Sequence, residues 1–190
     1  MSALVALTSG CTASLELSGP NGDQPHCVRT DRGHFSSLDG SLVISAQSVP
    51  SAALVPCLHR LPAGWTFRDF RANKGRTQFW LNLGAENENA VTMTFTQTCD
   101  IGTTRRTLTD EPGTLRFEDL RVDASGENGT RYYTFDGGCV AYEFDVRGAA
   151  APEAIRTISR AIGFIDRDAL RRYVDAYSNG RFHLDPSHGG

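Results

Sequence analysis

The most regular alternation of apolar and polar residues in the chain is VTMTFTQTC, residues 91–99. Val91, Met93, Phe95 and Cys99 share one side, and Thr92, Thr94, Thr96 and Thr98 share the other. A period of two with one apolar side predicts a half-buried antiparallel strand with a wet threonine face, and it puts Cys99 on the apolar side. Weaker alternation marks further strands at 42–49, 65–71, 77–83, 115–122, 131–135 and 140–146. Asn73-Lys74-Gly75 fits a hairpin turn between the second and third of these, and Asn128-Gly129 fits one before 131–135. Phe135-Asp136-Gly137-Gly138-Cys139 reads as a second tight turn.

Helical spacing appears in two regions. After Ser48 and Pro50, Leu54, Leu58 and Leu61 fall on one helical face, interrupted by Pro56. From Pro152 onward Ile155, Ile158 and Ile162 form a stripe. Asp166 then caps a helix whose Leu170, Tyr173, Val174 and Tyr177 recur at helical spacing, and Asn179-Gly180 ends it. The expected fold is α+β: an antiparallel sheet of six to seven strands with helices packed on one face, a two-layer sandwich. Residues 100–114 read as a long polar loop. Residues 12–40, rich in Ser, Gly, Asp and Asn, read as a flexible tether, and 41–190 as a single domain. No internal repeat is visible.

The chain has 190 residues, enough for one domain with a substantial core, and a formal net charge of -3 with both signs mixed along its length. Clustered positive charge of the kind that displaces counterions from nucleic acid is lacking, so nucleic acid is excluded as a partner. Lys74 is the only lysine among 19 basic residues. That bias, with abundant Ala and Gly, resembles the composition of actinobacterial proteins from GC-rich genomes.

The segment LTSGCTAS, residues 7–14, changes the picture most. Leu7, Thr8, Ser9 and Gly10 before Cys11 resemble the lipobox of bacterial lipoproteins, in which the cysteine receives diacylglycerol. Thr8 departs from the usual Leu, and residues 1–11 lack the basic start and long apolar run of a complete signal peptide. The resemblance implies a lipid on Cys11, a remnant signal over 1–11, and an extracytoplasmic protein anchored to the cytoplasmic membrane.

Removing Cys11 leaves Cys27, Cys57, Cys99 and Cys139, an even number suited to two disulfides in an exported protein. Their wide spacing argues against a structural zinc site. Three connectivities are open. Cys27 with Cys99 and Cys57 with Cys139 is the favoured one.

No nucleophile elbow, zinc-helix motif, phosphate loop or dinucleotide loop is present. His59 lacks an orienting acid in its neighbourhood, and the tail His183, Asp185 and His188 reads as surface. Asp110-Glu111 lies in a loop where it can join a site; Glu143 and Asp145 read as solvent-facing strand residues. The expectation is therefore a non-enzymatic envelope binding or accessory protein for an envelope protein or small ligand, with no cofactor, no metal and no catalytic residue. The alternative is an extracytoplasmic hydrolase. Trp80, Thr94 and Thr96 on the sheet, with Arg105 and Arg106 in the adjoining loop, are the candidate contact residues.

Overall fold

The structure, a computed structural model, describes residues 24–27 and 40–186. Cys11, His34, His188 and most of the expected tether lie outside the described residues.

The element order is α1 (Gly40–Ser48), β1 (Leu54–Leu58), β2 (Trp65–Asn73), β3 (Arg76–Leu83), β4 (Asn87–Thr96), β5 (Arg105–Thr107), β6 (Leu115–Asp123), β7 (Gly126–Phe135), β8 (Gly138–Arg147), α2 (Ala151–Ser159), β9 (Ile162–Asp166) and α3 (Arg167–Ser178). Seven strands form one antiparallel sheet in the order β2-β3-β4-β8-β7-β6-β5, and β1 pairs with β9 in a separate two-stranded sheet. The helices and the small sheet lie on one face of the large one. The fold is the expected α+β sandwich of two layers.

Its core follows from strand parity. Phe79, Leu81, Val91, Met93, Phe95, Val140, Tyr142, Phe144 and Val146 are buried beneath the helices and the small sheet. Rings continue this core from Phe79 to Tyr142, from Tyr142 to Tyr133, and from Tyr133 to Phe164 on β9. The opposite face carries Gln78, Trp80, Thr92, Thr94, Thr96, Ala141 and Glu143, and among the described residues no second layer of elements covers it.

Four expectations about elements are corrected. The expected strand at 42–49 is instead helix α1 as far as Ser48, because Leu42 and Ala46, with Val49 just beyond it, are buried at helical spacing. The expected helix around Leu54 and Leu58 is instead β1. Its Pro56, which lacks an N–H, is tolerated because β1 has a full ladder only with β9, its other side meeting residues 24–27 at a single bridge. The stripe of Ile155 and Ile158 does not continue to Ile162, which belongs to β9 opposite Leu58. Asn128-Gly129 is not a turn. The β6–β7 turn is at Ala124-Ser125, where Asp123 Oδ1 accepts from the backbone N–H of Ser125 at 2.7 Å and of Gly126 at 3.2 Å. Gly129 sits within β7 at φ +133°, and a Cβ there would stand 2.0 Å from the Asp119 carbonyl oxygen.

Asp166 caps α3 as expected, accepting from the Ala169 N–H at 2.7 Å, and Asn179 closes it in the left-handed conformation. Arg167, almost wholly buried, donates to the Ala46 carbonyl at 2.7 Å and to the Asp185 carbonyl at 3.0 Å. It thereby joins α1, α3 and the C-terminal segment. Burial holds its pKa below the ordinary arginine value.

The disulfides join Cys27 to Cys57 and Cys99 to Cys139, with sequence separations of 30 and 40 residues. The favoured pairing is thus overturned, for a reason visible in the layers. Cys27 lies beside β1: its N–H donates to the Leu58 carbonyl at 2.9 Å, and the Leu58 N–H donates to the Pro25 carbonyl at 2.6 Å. Cys57 is its neighbour. Cys139 has the strand phase of Ala141 and Glu143, so it faces away from the helical layer that holds Cys57. Cys99 is not on the apolar side of β4, which ends at Thr96. The chain turns back there, with Thr96 Oγ1 donating to the Thr98 carbonyl at 2.8 Å, and Cys99 meets Cys139 next to the Thr96–Cys139 register pair.

Candidate functional site

The expected contact residues divide into two groups. Trp80 lies opposite Thr92, and Gln78 Nε2 donates to Thr94 Oγ1 at 3.1 Å, so Trp80 and the β4 threonines share the open face. Thr96 is at its end, beside Cys139. The Arg71 guanidinium stands 5.2 Å from the centre of the Trp80 ring, which is half-buried beneath it. Arg105 and Arg106 are exposed on β5 at the far edge, with β8, β7 and β6 between them and β4. The structure does not bring these two groups together. A concavity lies on the other side of the sheet.

That concavity is a cleft of about 730 Å3. It arises because α2 packs on β7 and β8 and leaves the helical side of β6 uncovered. Gly148 N–H donates to the Ser125 carbonyl at 2.8 Å near the start of α2, and Ser159 at its end meets Arg131. The helix therefore runs along β7, and the cleft runs between them. Arg116, Leu120 and Val122 of β6 form its floor with Glu127, Arg131 and Tyr133 of β7. Pro152, Ile155, Arg156, Ser159 and Arg160 of α2 form one wall, and Asp110 and Glu111 close one end.

At that end the side chains are tightly interlinked. Arg131, 7% exposed, donates from Nε to Glu118 Oε2 at 2.8 Å and from Nη1 to Ser159 Oγ at 2.5 Å. Its guanidinium lies 5.3 Å from the centre of the Phe144 ring. Arg116 donates to Thr107 Oγ1 at 2.8 Å and to the other oxygen of Glu118 at 3.4 Å. One carboxylate thus bridges two guanidinium groups. Arginine suits this position because its fork offers several donors in one plane. A buried charge is tolerated where it is both paired and hydrogen-bonded.

Glu111 differs. Burial, and then the charge of Asp110, push its carboxyl above the ordinary glutamate value. The Tyr133 hydroxyl is pushed up by burial, against the lowering effect of Arg131 and Arg116. The Tyr142 hydroxyl, fully buried, has no hydrogen-bond partner among the described residues, and burial holds its pKa well above that of an ordinary tyrosine. It lies within electrostatic reach of Tyr133, Glu111 and Arg131. Glu127, at the opposite end of the cleft, is 8% exposed and makes no ion pair or side-chain hydrogen bond among the described residues.

Of the carboxylate pairs singled out in the sequence, Asp110 and Glu111 line this cleft. Glu143 and Asp145 are exposed on the open face. Arg131, Glu127 and Arg160 were missed. The available signal was phase: Glu127 and Arg131 occupy the same side of β7 as the core residue Tyr133, where an apolar residue is expected. His59 follows β1 and is exposed, and His183 pairs with Asp175 at 2.8 Å on the surface.

Among the described residues no group of His, Cys, Asp and Glu is arranged to hold a metal, and no helix is long and apolar enough to cross a membrane. The two bridges fit an extracytoplasmic, oxidising setting. Comparison with protein-family models, with curated proteins and with solved structures finds no match.

Proposed function

We propose that the chain is an extracytoplasmic, non-enzymatic binding protein, anchored to the cytoplasmic membrane through lipid on Cys11, and that the cleft between α2 and the β6–β7 strands takes its ligand. The observation that carries the anchoring is the use of the cysteines. The two bridges employ Cys27, Cys57, Cys99 and Cys139, which leaves Cys11 as the remaining cysteine of five, in the lipobox-like LTSGC. The binding assignment is supported by a concave, mixed polar and apolar site with unpaired charges, which suits ligand recognition. The Cys27–Cys57 bridge then marks where the chain leading from the anchor is fastened to the domain.

Fractionation of cells producing the full chain tests the anchor. The wild type is expected in the membrane fraction, carrying acyl label, and Cys11→Ser in the released fraction with both disulfides intact. Identical partitioning of the two proteins, without acyl label, overturns the anchoring.

A further inference from the structure

The two disulfides differ in what surrounds them. In the Cys27–Cys57 bridge, Cys57 is sealed in the core, while Cys27 keeps part of its surface in solvent. A reagent arriving from outside therefore meets Cys27. Cys57 and His59 are two residues apart at the end of β1, so their side chains stand on the same side of the chain. The His59 N–H donates to the Ala161 carbonyl at 2.7 Å and carries the pairing with β9 one residue further. Gly163 is the register partner of Cys57. A Cβ on Gly163 would stand 2.7 Å from His59 Nε2 and 3.2 Å from Cys27 Sγ. The imidazole and the sulfur thus share the space that a side chain at 163 would take. Gly163 is not among the glycines at positive φ, so the glycine supplies room there and not backbone freedom.

Charge separates the two bridges further. Residues 24–27, 55–61 and 161–164 surround the first and include His26, His59 and Arg60 but no acid. The second has Asp100 exposed beside Cys99, and Asp136 at the turn before Cys139. An incoming thiolate is favoured by the first setting and repelled by the second. Residues 24–27 also meet β1 at a single bridge pair, so the first disulfide opens without dismantling a strand ladder.

We infer that Cys27–Cys57 is a thiol–disulfide exchange site, with Cys27 the sulfur attacked, Cys57 the leaving sulfur and His59 the proton carrier. His59 takes the proton of the incoming thiol. The thiolate forms a bond to Cys27 Sγ, the Cys27–Cys57 bond breaks, and its electron pair leaves on Cys57 Sγ, which receives the proton from His59. A second thiol then displaces Cys27 from the mixed disulfide. Two thiols are oxidised to one disulfide, and the bridge is reduced to two thiols. Exchange unfastens residues 24–27 from β1, and it stands independently of the lipid on Cys11 and of the cleft.

The full chain, oxidised at both bridges, is treated with reduced glutathione or with reduced thioredoxin, quenched with an alkylating reagent at intervals and mapped by peptide mass. Cys27–Cys57 is expected to open about tenfold or more faster than Cys99–Cys139 in the same molecules, with the incoming thiol captured on Cys27. His59→Ala is expected to slow that opening about tenfold and to leave Cys99–Cys139 at its wild-type rate. A variant that loosens the fold would open both bridges faster, and the wild-type ratio of rates and the position of the adduct then decide. Opening by glutathione supports a small-thiol partner, and opening by thioredoxin alone supports a protein dithiol. Equal rates at the two bridges, an adduct on Cys57, opening by neither thiol, or an unchanged rate in folded His59→Ala overturns the inference.

Discussion

Arg131 is the side chain whose loss is expected to be felt most within the cleft. Replacing it with methionine keeps the packing over Phe144 but leaves Glu118 with one distant partner and Ser159 without its donor. Removing one member of such a pair is destabilising, here by about 2 kcal/mol because Glu118 retains some contact with water and with Arg116. A lower urea midpoint with an unchanged slope checks this. Glu111 has the opposite sense. Its folded-state pKa is raised, so the folded protein binds its proton more tightly than the unfolded chain does. Its ionised form therefore weakens the fold at pH values above the folded pKa. That penalty fades as pH falls through the folded pKa, and it is gone below the unfolded value near 4.5. Glu111→Gln is expected to raise the melting temperature at pH 7 and to leave it unchanged at pH 4. An equal increase at both pH values would contradict the sign. At this scale the sequence was readable where one residue sets one local geometry, as with Asp166 at its helix cap. It was not readable for Arg131 and Glu118, whose meeting depends on which strands are neighbours.

Elements with a strong period were legible, and those defined by distant partners were not. The threonine strand, the β2–β3 hairpin and α3 carry their own signals of alternation, turn and cap. β1 and β9 are five residues each, and they are strands only because they pair across more than a hundred residues. Alone, LVPCL has no decisive period, and Ile162 continues the stripe of α2 by accident of spacing. The glycines follow the same division. Gly137 was legible as part of a turn, but its close contact was not: at φ +64° an added Cβ would stand 1.9 Å from the Ser51 carbonyl oxygen. Gly137→Ala must move the β7–β8 turn or the Ser51–Ala52 backbone it meets, and it is expected to cost about 2 kcal/mol or more. Calorimetric melting checks this, with Gly75→Ala as the reference, since that position also has positive φ but meets nothing within 4 Å. The bridges act at the same scale. Each closes a loop long enough to stabilise the domain by about 3–4 kcal/mol in the chain-entropy account. Cys99→Ser/Cys139→Ser is expected to lower stability by that order while leaving the Cys27–Cys57 link in a non-reducing peptide map.

At the scale of the molecule, the two faces of the large sheet are put to different uses. One face is sealed by helices and the small sheet except over β6, and that gap is the cleft. The other is an open polar surface with Trp80 and the threonines of β4, and the Cys99–Cys139 bridge fastens the chain leaving β4 to its margin. Residues 24–27 attach beside β1 through the other bridge, close to the helical layer. A domain so fastened at its amino-terminal side, oxidised at both bridges and with one further cysteine in a lipobox-like segment, is what the proposed anchored binding protein requires. The most direct test of that claim is the intact mass of the protein recovered from its native envelope and alkylated before and after reduction. A diacylglycerol adduct on an amino-terminal Cys11, with four further cysteines alkylated only after reduction, is the expected result. Five cysteines alkylated without reduction, and no lipid, would contradict it.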